Sequence, residues 1–221
     1  MREDRPPQLT ALLAGATGLV GSECLSRLLA EETYTEVLVV TRRDLGPGAA
    51  DSRIRQIIID FDRLDELPDA LVADQVFCTL GTTMRKAGSR AQFRRVDLEY
   101  PLKLAEFALR RGAGHFSLVS AMGASRSSPF FYLRVKGELE QALRNLGWPS
   151  LAIFRPSVIA GQRKESRPGE WAGELLLRMA PARLRPVAAG DIATAMVVTA
   201  LQSPPGVTIV ESGEISRRAA G

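Results

Sequence analysis

The segment Gly15-Ala16-Thr17-Gly18-Leu19-Val20-Gly21 sits where an apolar run, Leu9 to Ala14, meets a stretch with Leu19, Leu25, Leu28 and Leu29 at helical spacing. Three glycines at the first junction of a strand and a helix narrow the fold more than any other feature of the chain. Glycine lets the backbone turn tightly and approach a ligand closely, and the helix start presents N–H groups and a positive dipole end to an anion. Glycines also serve plain packing, so it is the strand–turn–helix context that makes a pyrophosphate the expected ligand. Gly15, Ala16, Thr17, Gly18, Leu19, Val20 and Gly21 are the candidate phosphate-binding residues, with the Thr17 hydroxyl as a further donor.

The alternation continues along the chain. Val37-Leu38-Val39-Val40, Ile54 to Ile59, Gln75 to Leu80, His115 to Ser120 and Ser150 to Phe154 are strand-like, with long helical patterns at about Ala91 to Arg111 and Pro129 to Leu146. Arg155-Pro156 ends the sixth strand, because proline cannot donate to a ladder. A polar loop follows, then a helix around Trp171 to Met179, a helix opened by the N-cap candidate Asp191, and a last strand near Val207 to Val210. Near-continuous apolar strands between helices predict an α/β fold, a doubly wound Rossmann-type sheet, mostly parallel, with helices on both faces. Ligands then bind at the carboxyl ends of the strands. At 221 residues the expectation is a single domain, with a flexible N-terminus over about 1–8 and a small C-terminal substrate-side portion over about 156–221.

Composition removes several classes. Hydrophobic residues at 45% and charged residues at 24% exclude a disordered or collagen-like chain. The net charge of +4 does not argue for nucleic acid, because Arg94-Arg95 and Arg110-Arg111 are interspersed with Asp97, Glu99 and Glu106 and suit solvated helix faces. Met1 to Gln8 is charged and proline-containing and no later run approaches a membrane span, so a cytoplasmic protein without a membrane partner is expected. Cys24 and Cys78 suit reduced core thiols. His115 is the only histidine and suits a strand edge; no metal site and no Ser-His-Asp hydrolase is expected. Asp60, Asp62, Asp65 and Glu66 suit a solvated loop and helix start better than a metal cluster.

The end of the second strand decides the nucleotide. An NAD site usually carries a carboxylate there for the ribose hydroxyls, whereas the 2′-phosphate of NADP needs a cation. Here the strand ends Val40-Thr41-Arg42-Arg43 and Asp44 is displaced beyond both arginines, whose forked donors suit a phosphate. NADP(H) is therefore expected over NAD(H), the plain alternative being a solvated loop. Asp60 and Phe61, ending the third strand, sit where the adenine is flanked; Leu80, Gly81, Thr82 and Thr83, ending the fourth, pass beneath the adenine ribose and the nicotinamide side.

Tyr132 and Lys136 are four apart on a predicted helix and share a face, so an ammonium lies near a phenol. The Lys charge and an oxidised nicotinamide both favour phenolate, bringing Tyr132 toward the range of a general acid/base, and Lys136 also holds the nicotinamide ribose. Ser120 ends the fifth strand on the ligand-binding side and is the candidate donor to a substrate carbonyl or alkoxide. A surface helix with an aromatic–aliphatic contact explains the Tyr-x-x-x-Lys spacing alone; the order of glycine turn, serine and Tyr-Lys pair does not follow from it. Phe154-Arg155-Pro156-Ser157-Val158 is either a nicotinamide-facing strand end, with Pro156 and Val158 as cofactor contacts, or merely a proline-terminated strand.

On these residues the chain resembles the atypical short-chain dehydrogenases, whose G-x-x-G-x-x-G spacing it shares, and specifically the family of the Tat-interactive oxidoreductase. Leu80-Gly81-Thr82-Thr83 followed by Lys86-Ala87-Gly88, Tyr132-Leu133 through Val135-Lys136-Gly137-Glu138, and Glu165-Ser166-Arg167-Pro168-Gly169-Glu170-Trp171 carry the resemblance over nearly the whole chain. It implies an NADPH-binding Rossmann fold with Ser120, Tyr132 and Lys136 in the catalytic positions and a cytoplasmic setting. One departure from the wider superfamily is Asp97, in a stretch where an asparagine often sits, which leaves a relay through that position open. Arg167 and Trp171 either cap the substrate pocket, with Trp171 as an apolar wall and Arg167 toward an anionic group, or belong to a helix start with Trp171 as core.

Two functions follow as expectations. In the first, a small carbonyl or alcohol substrate is reduced or oxidised, with Tyr132 exchanging the proton, Lys136 tuning it and Ser120 orienting the oxygen. In the second, NADP(H) occupancy stabilises a binding surface for a protein partner with little or no turnover. An isomerase or epimerase is disfavoured by the short C-terminal portion. Monomer and homodimer both remain open, a dimer pairing through the two long helices.

Overall fold

The computed structural model describes residues 8–46, 50–68, 70–160 and 185–220. The chain opens with β1 (Leu9–Ala14), α1 (Leu19–Ala30), β2 (Tyr34–Thr41), β3 (Ile54–Ile58), a 3-10 turn (Phe61–Glu66) and β4 (Gln75–Cys78). The short helices α2 (Met84–Ala87) and α3 (Arg90–Arg94) follow, then a π-helical turn (Arg95–Glu99), α4 (Tyr100–Arg110), β5 (His115–Val119), α5 (Phe131–Asn145) and β6 (Ser150–Arg155). Beyond these lie β7 (Ile159–Ala160), β8 (Val187–Ala188), α6 (Ala189–Gln202), β9 (Gly206–Glu211) and α7 (Ser212–Ala220).

Seven strands form one sheet in the order β3-β2-β1-β4-β5-β6-β9, every pair parallel. β7 and β8 pair separately, also parallel. The period of two along each strand divides the apolar side chains between two cores. Leu12, Val40, Val76, Phe116 and Ile153 face Leu104, Leu139, Leu143 and Trp148 of the α4–α5 layer. Leu13, Val39, Phe77 and Phe154 face Cys24, Leu28, Ile192 and Met196 of the α1–α6 layer. Cover on both faces is why the strands are apolar without interruption. Strand order reverses between β1 and β4, and in open parallel sheets ligands lodge in the crevice outside the carboxyl ends at that point.

Several elements differ from the sequence expectation. The long helix expected from Ala91 to Arg111 is broken by the π-helical turn, which ends just before Pro101 in the first turn of α4. Proline donates no hydrogen bond to the residue four before it and its ring crowds that carbonyl, so the widened turn relieves the conflict. α6 begins at Ala189 rather than at a cap on Asp191, which lies in the first turn where its carboxylate meets the positive dipole end. His115 is fully buried in a central strand rather than at an edge. Its Nδ1 pairs with the Ser150 hydroxyl and its Nε2 with the Ser117 hydroxyl, each at 2.8 Å, one ring nitrogen donating and the other accepting in the neutral imidazole. α7 was not foreseen; it carries a single buried apolar residue, Ile215, and an Arg218–Glu214 pair one turn apart. Cys24 and Cys78 are buried free thiols, pushed up by that burial to about 12 and about 11. The helix expected around Trp171 to Met179 lies outside the described residues.

Candidate active site

The turn after β1 admits only glycine at its two ends. Gly15 has φ +94°, and a Cβ there would lie 2.6 Å from Thr79 Oγ1 and 2.8 Å from the Thr79 carbonyl carbon. At Gly21 a Cβ would lie 2.0 Å from the Gly15 carbonyl oxygen, so the first turn of α1 is wound directly onto the end of β1. The Gly18 N–H donates to that same oxygen at 2.9 Å. Gly18 stands at the N-cap of α1, and among the described residues no side chain caps it. Thr17, Gly18 and Leu19 are exposed while Ala16 and Val20 are buried. The helix start therefore offers unsatisfied N–H groups and its positive dipole end to the crevice between β1 and β4. Thr79 closes the crevice floor, giving both its N–H and its hydroxyl to the Ala14 carbonyl at 2.9 Å. This cradle fits a dinucleotide pyrophosphate.

Toward β2, Arg42 and Arg43 are exposed. Their turn is set by Thr41, whose hydroxyl donates to the Arg43 carbonyl at 2.9 Å and accepts the Arg43 N–H at 3.3 Å. Asp44 points elsewhere, accepting from the Gly46 N–H at 2.9 Å and Gln56 Nε2 at 3.2 Å; the Gly46 bond, with that from Gln56, holds its carboxyl below the usual range. A recess of about 320 Å³ opens between Arg42, Ile58, Ile59 and Asp60. Phe61 does not line it: its ring is buried against Tyr100 at 5.5 Å between centroids, and Asp60 accepts the Asp62 N–H to start the 3-10 turn. Ile58, which is exposed, lines the recess in place of Phe61. A larger recess, about 420 Å³, lies around Asp74, His115 and Ser150 at the amino ends of the strands, the edge opposite the glycine turn.

At the other end of the crevice, Leu80 and Thr82 are half-buried and Gly81 and Thr83 exposed. The Thr83 hydroxyl caps α2 by accepting the Lys86 N–H at 3.2 Å. Tyr132, in the first turn of α5, is 39% exposed, with its ring edge-on to Phe93 at 5.7 Å. Lys136, one turn later, is buried, and its ammonium lies 2.9 Å from Asp97 Oδ1. Burial pulls the Lys136 ammonium down, but the Asp97 carboxylate, together with Tyr132 and Cys78, outweighs burial and raises it above its ordinary value. The lysine is therefore a fixed cation beneath an accessible phenol.

Ser120 spends its hydroxyl proton elsewhere. It is buried, and its hydroxyl donates to Glu140 Oε1 at 2.6 Å. Glu140 also accepts from Arg155 Nε at 3.0 Å and Nη2 at 2.6 Å, and Arg155 Nη1 reaches Glu211 at 3.0 Å. Glu140 lies one turn beyond Lys136 on α5, so it reaches under the strand ends instead of into the crevice. The spacing of four after Lys136 was the available signal for it. Pro156 is buried with its carbonyl accepting the Met122 N–H at 2.9 Å, while Val158 is exposed. Arg167 and Trp171 lie outside the described residues. Sequence reasoning also passed over Thr79, the last residue before the 80–83 loop, and Gly137, where a Cβ would meet the Ser125 carbonyl carbon at 2.3 Å. Among the described residues no group of three or more His, Cys, Asp or Glu could hold a metal, and no helix is long and apolar enough to cross a membrane.

Residues 15–161 match the NAD(P)H-binding family. Protein HTATIP2 of Rattus norvegicus is 42% identical over 174 residues, covering 77% of this chain and 72% of that protein. Protein FMP52, mitochondrial, of Meyerozyma guilliermondii is 33% identical over 224 residues, covering 96% and 95%. Among solved structures, the Bordetella bronchiseptica enzyme WbmG in complex with NAD superposes with a TM-score of 0.71 at 18% identity, over 96% of this chain and 75% of that one, a likeness of fold. With a glycine cradle at the switch point of a parallel sheet and these relatives, the chain belongs to the NAD(P)H-binding atypical short-chain dehydrogenase/reductase family that includes protein HTATIP2.

Proposed function

We propose that the protein is an NADP(H)-dependent oxidoreductase acting on a small carbonyl or alcohol substrate, with Tyr132 and Lys136 as its acid–base pair. The observation that carries the reading is the accessible Tyr132 phenol one helical turn from a buried Lys136 whose charge is secured by Asp97. When bound, the cofactor supplies or accepts the hydride. The residues 15–21 hold its pyrophosphate on the α1 start, and Arg42 and Arg43 meet the 2′-phosphate, which is the basis of the preference for NADP(H). Tyr132 gives its proton to the substrate oxygen in reduction and takes it back in oxidation. Lys136 stabilises the phenolate electrostatically and anchors the ribose side of the site.

Ser120 orients the substrate oxygen only if its hydroxyl leaves Glu140. That bond favours a second reading, a cofactor-sensing protein with little turnover whose partner is another protein. One experiment separates them. Purified protein is incubated with NADPH and a panel of aldehydes, ketones and sugar derivatives, and oxidation is followed by absorbance. The enzyme reading expects consumption on at least one substrate and a loss of about 100-fold or more in Tyr132→Phe. No consumption across the panel, with the biological role intact in Tyr132→Phe, selects the regulator.

A further inference from the structure

We infer that Asp97 is a positioning residue: its carboxylate sets the Lys136 ammonium in place and ties it to the 80–83 loop, so that one buried charge aligns the acid–base pair with the loop beneath the cofactor. The inference rests on reading Tyr132 and Lys136 as that pair.

Three segments meet at this carboxylate. Asp97 comes from the π-helical turn and is 1% exposed. One oxygen, Oδ1, lies 2.9 Å from Lys136 Nζ on α5. The other, Oδ2, accepts the Thr82 N–H at 2.8 Å. Gly81 runs directly over the contact: a Cβ there would lie 3.4 Å from Asp97 Oδ1 and 3.8 Å from Lys136 Nζ. Asp97 sits in the widened turn, which runs directly into α4 with Pro101 in its first turn. Around Lys136, the groups facing the ammonium are Asp97 from the π turn, Cys78 from β4 and Tyr132 from its own helix. With the thiol held up by burial, Asp97 is the carboxylate partner of this cation among the described residues. A buried ammonium deprived of its counter-charge gives up its proton. An asparagine at 97 keeps the shape and an acceptor for the Thr82 N–H but removes the charge, so it separates the two roles.

The test uses the full chain and reads NADPH binding by fluorescence between pH 7 and 9.5, with thermal melts alongside. Wild type is expected to bind with nearly constant affinity over this range. Asp97→Asn is expected to bind near the wild-type level at pH 7 and at least 10-fold more weakly at pH 9.5, as Lys136 loses its proton. The double variant Asp97→Asn/Lys136→Met is expected to lose this pH dependence, and Asp97→Glu, which restores a charge, to flatten it. An Asp97→Asn profile as flat as wild type, or weaker by one constant factor at every pH, overturns the inference. Should Asp97→Asn fail to fold, the double variant, free of the unpaired charge, is expected to fold; failure of both to fold overturns it as well. Absence of turnover refutes the oxidoreductase reading without touching these binding and melting results, and a flat Asp97→Asn profile sinks the inference even in an active enzyme.

Discussion

At the scale of single residues, the positions most legible in the sequence are those where backbone geometry dictates the side chain. Gly15 and Gly21 leave no room for a Cβ, so their identity carries the turn with it. The contacts of Ser120 and Phe61 are less legible, because a place at a strand end does not name the partner a side chain takes from far along the chain, Glu140 for one and Tyr100 for the other. Arg42 and Arg43 are exposed at the end of β2, where the proposed function puts the 2′-phosphate, and charge-assisted hydrogen bonds to a phosphate contribute about 1.5–3 kcal/mol. Replacing both with alanine is expected to weaken NADPH by roughly 10- to 100-fold while leaving NADH nearly unchanged. Parallel titrations with the two cofactors measure the ratio, and an equal loss for both refutes the 2′-phosphate assignment.

Among the elements, the seven strands of the main sheet and α1, α4 and α5 follow from apolar periodicity, which records burial directly, whereas the two-residue strands β7 and β8 are too short to leave such a pattern. The π-helical turn does not follow from it either, since a turn of altered pitch leaves the surrounding period of 3.6 almost intact; its trace in the sequence is Pro101 alone. α5 is seated by Gly137, packed on the backbone of Ser125 and Arg126, while the Ser125 N–H donates to the Leu133 carbonyl at 3.1 Å. Gly137→Ala forces α5 or this loop to move and is expected to cost about 1–3 kcal/mol as overpacking. Gly190→Ala in α6 is the control, since its Cβ would meet Glu23 Oε2 at an ordinary 3.5 Å. Urea melts of both variants are expected to show a lowered midpoint for the first and an unchanged or raised one for the second.

For the whole molecule, His115 makes stability depend on acid. Burial lowers it from 6.5 to about 4, so between these values the unfolded chain binds a proton that the folded chain refuses. Its contribution is complete above pH 6.5 and is lost as pH falls toward 4, amounting to about 3 kcal/mol. His115→Gln removes the titration, and its melting temperature is expected to fall less than that of wild type between pH 7 and 4.5; an equal fall assigns the acid sensitivity elsewhere.

Arg155, described above as a partner of Glu140, also reaches Glu211 on β9, the strand that completes the sheet beside β6. β6 and β9 are neighbours in space but some fifty residues apart in sequence, so their pairing closes a long loop and comes late in assembly. During synthesis, then, the sheet carries β6 as its raw edge until β9 arrives, and Arg155 gains its second carboxylate, Glu211, only when that last strand zips on. Until that docking, the unpaired N–H and C=O groups along β6 form an open edge of the kind that pairs with other chains.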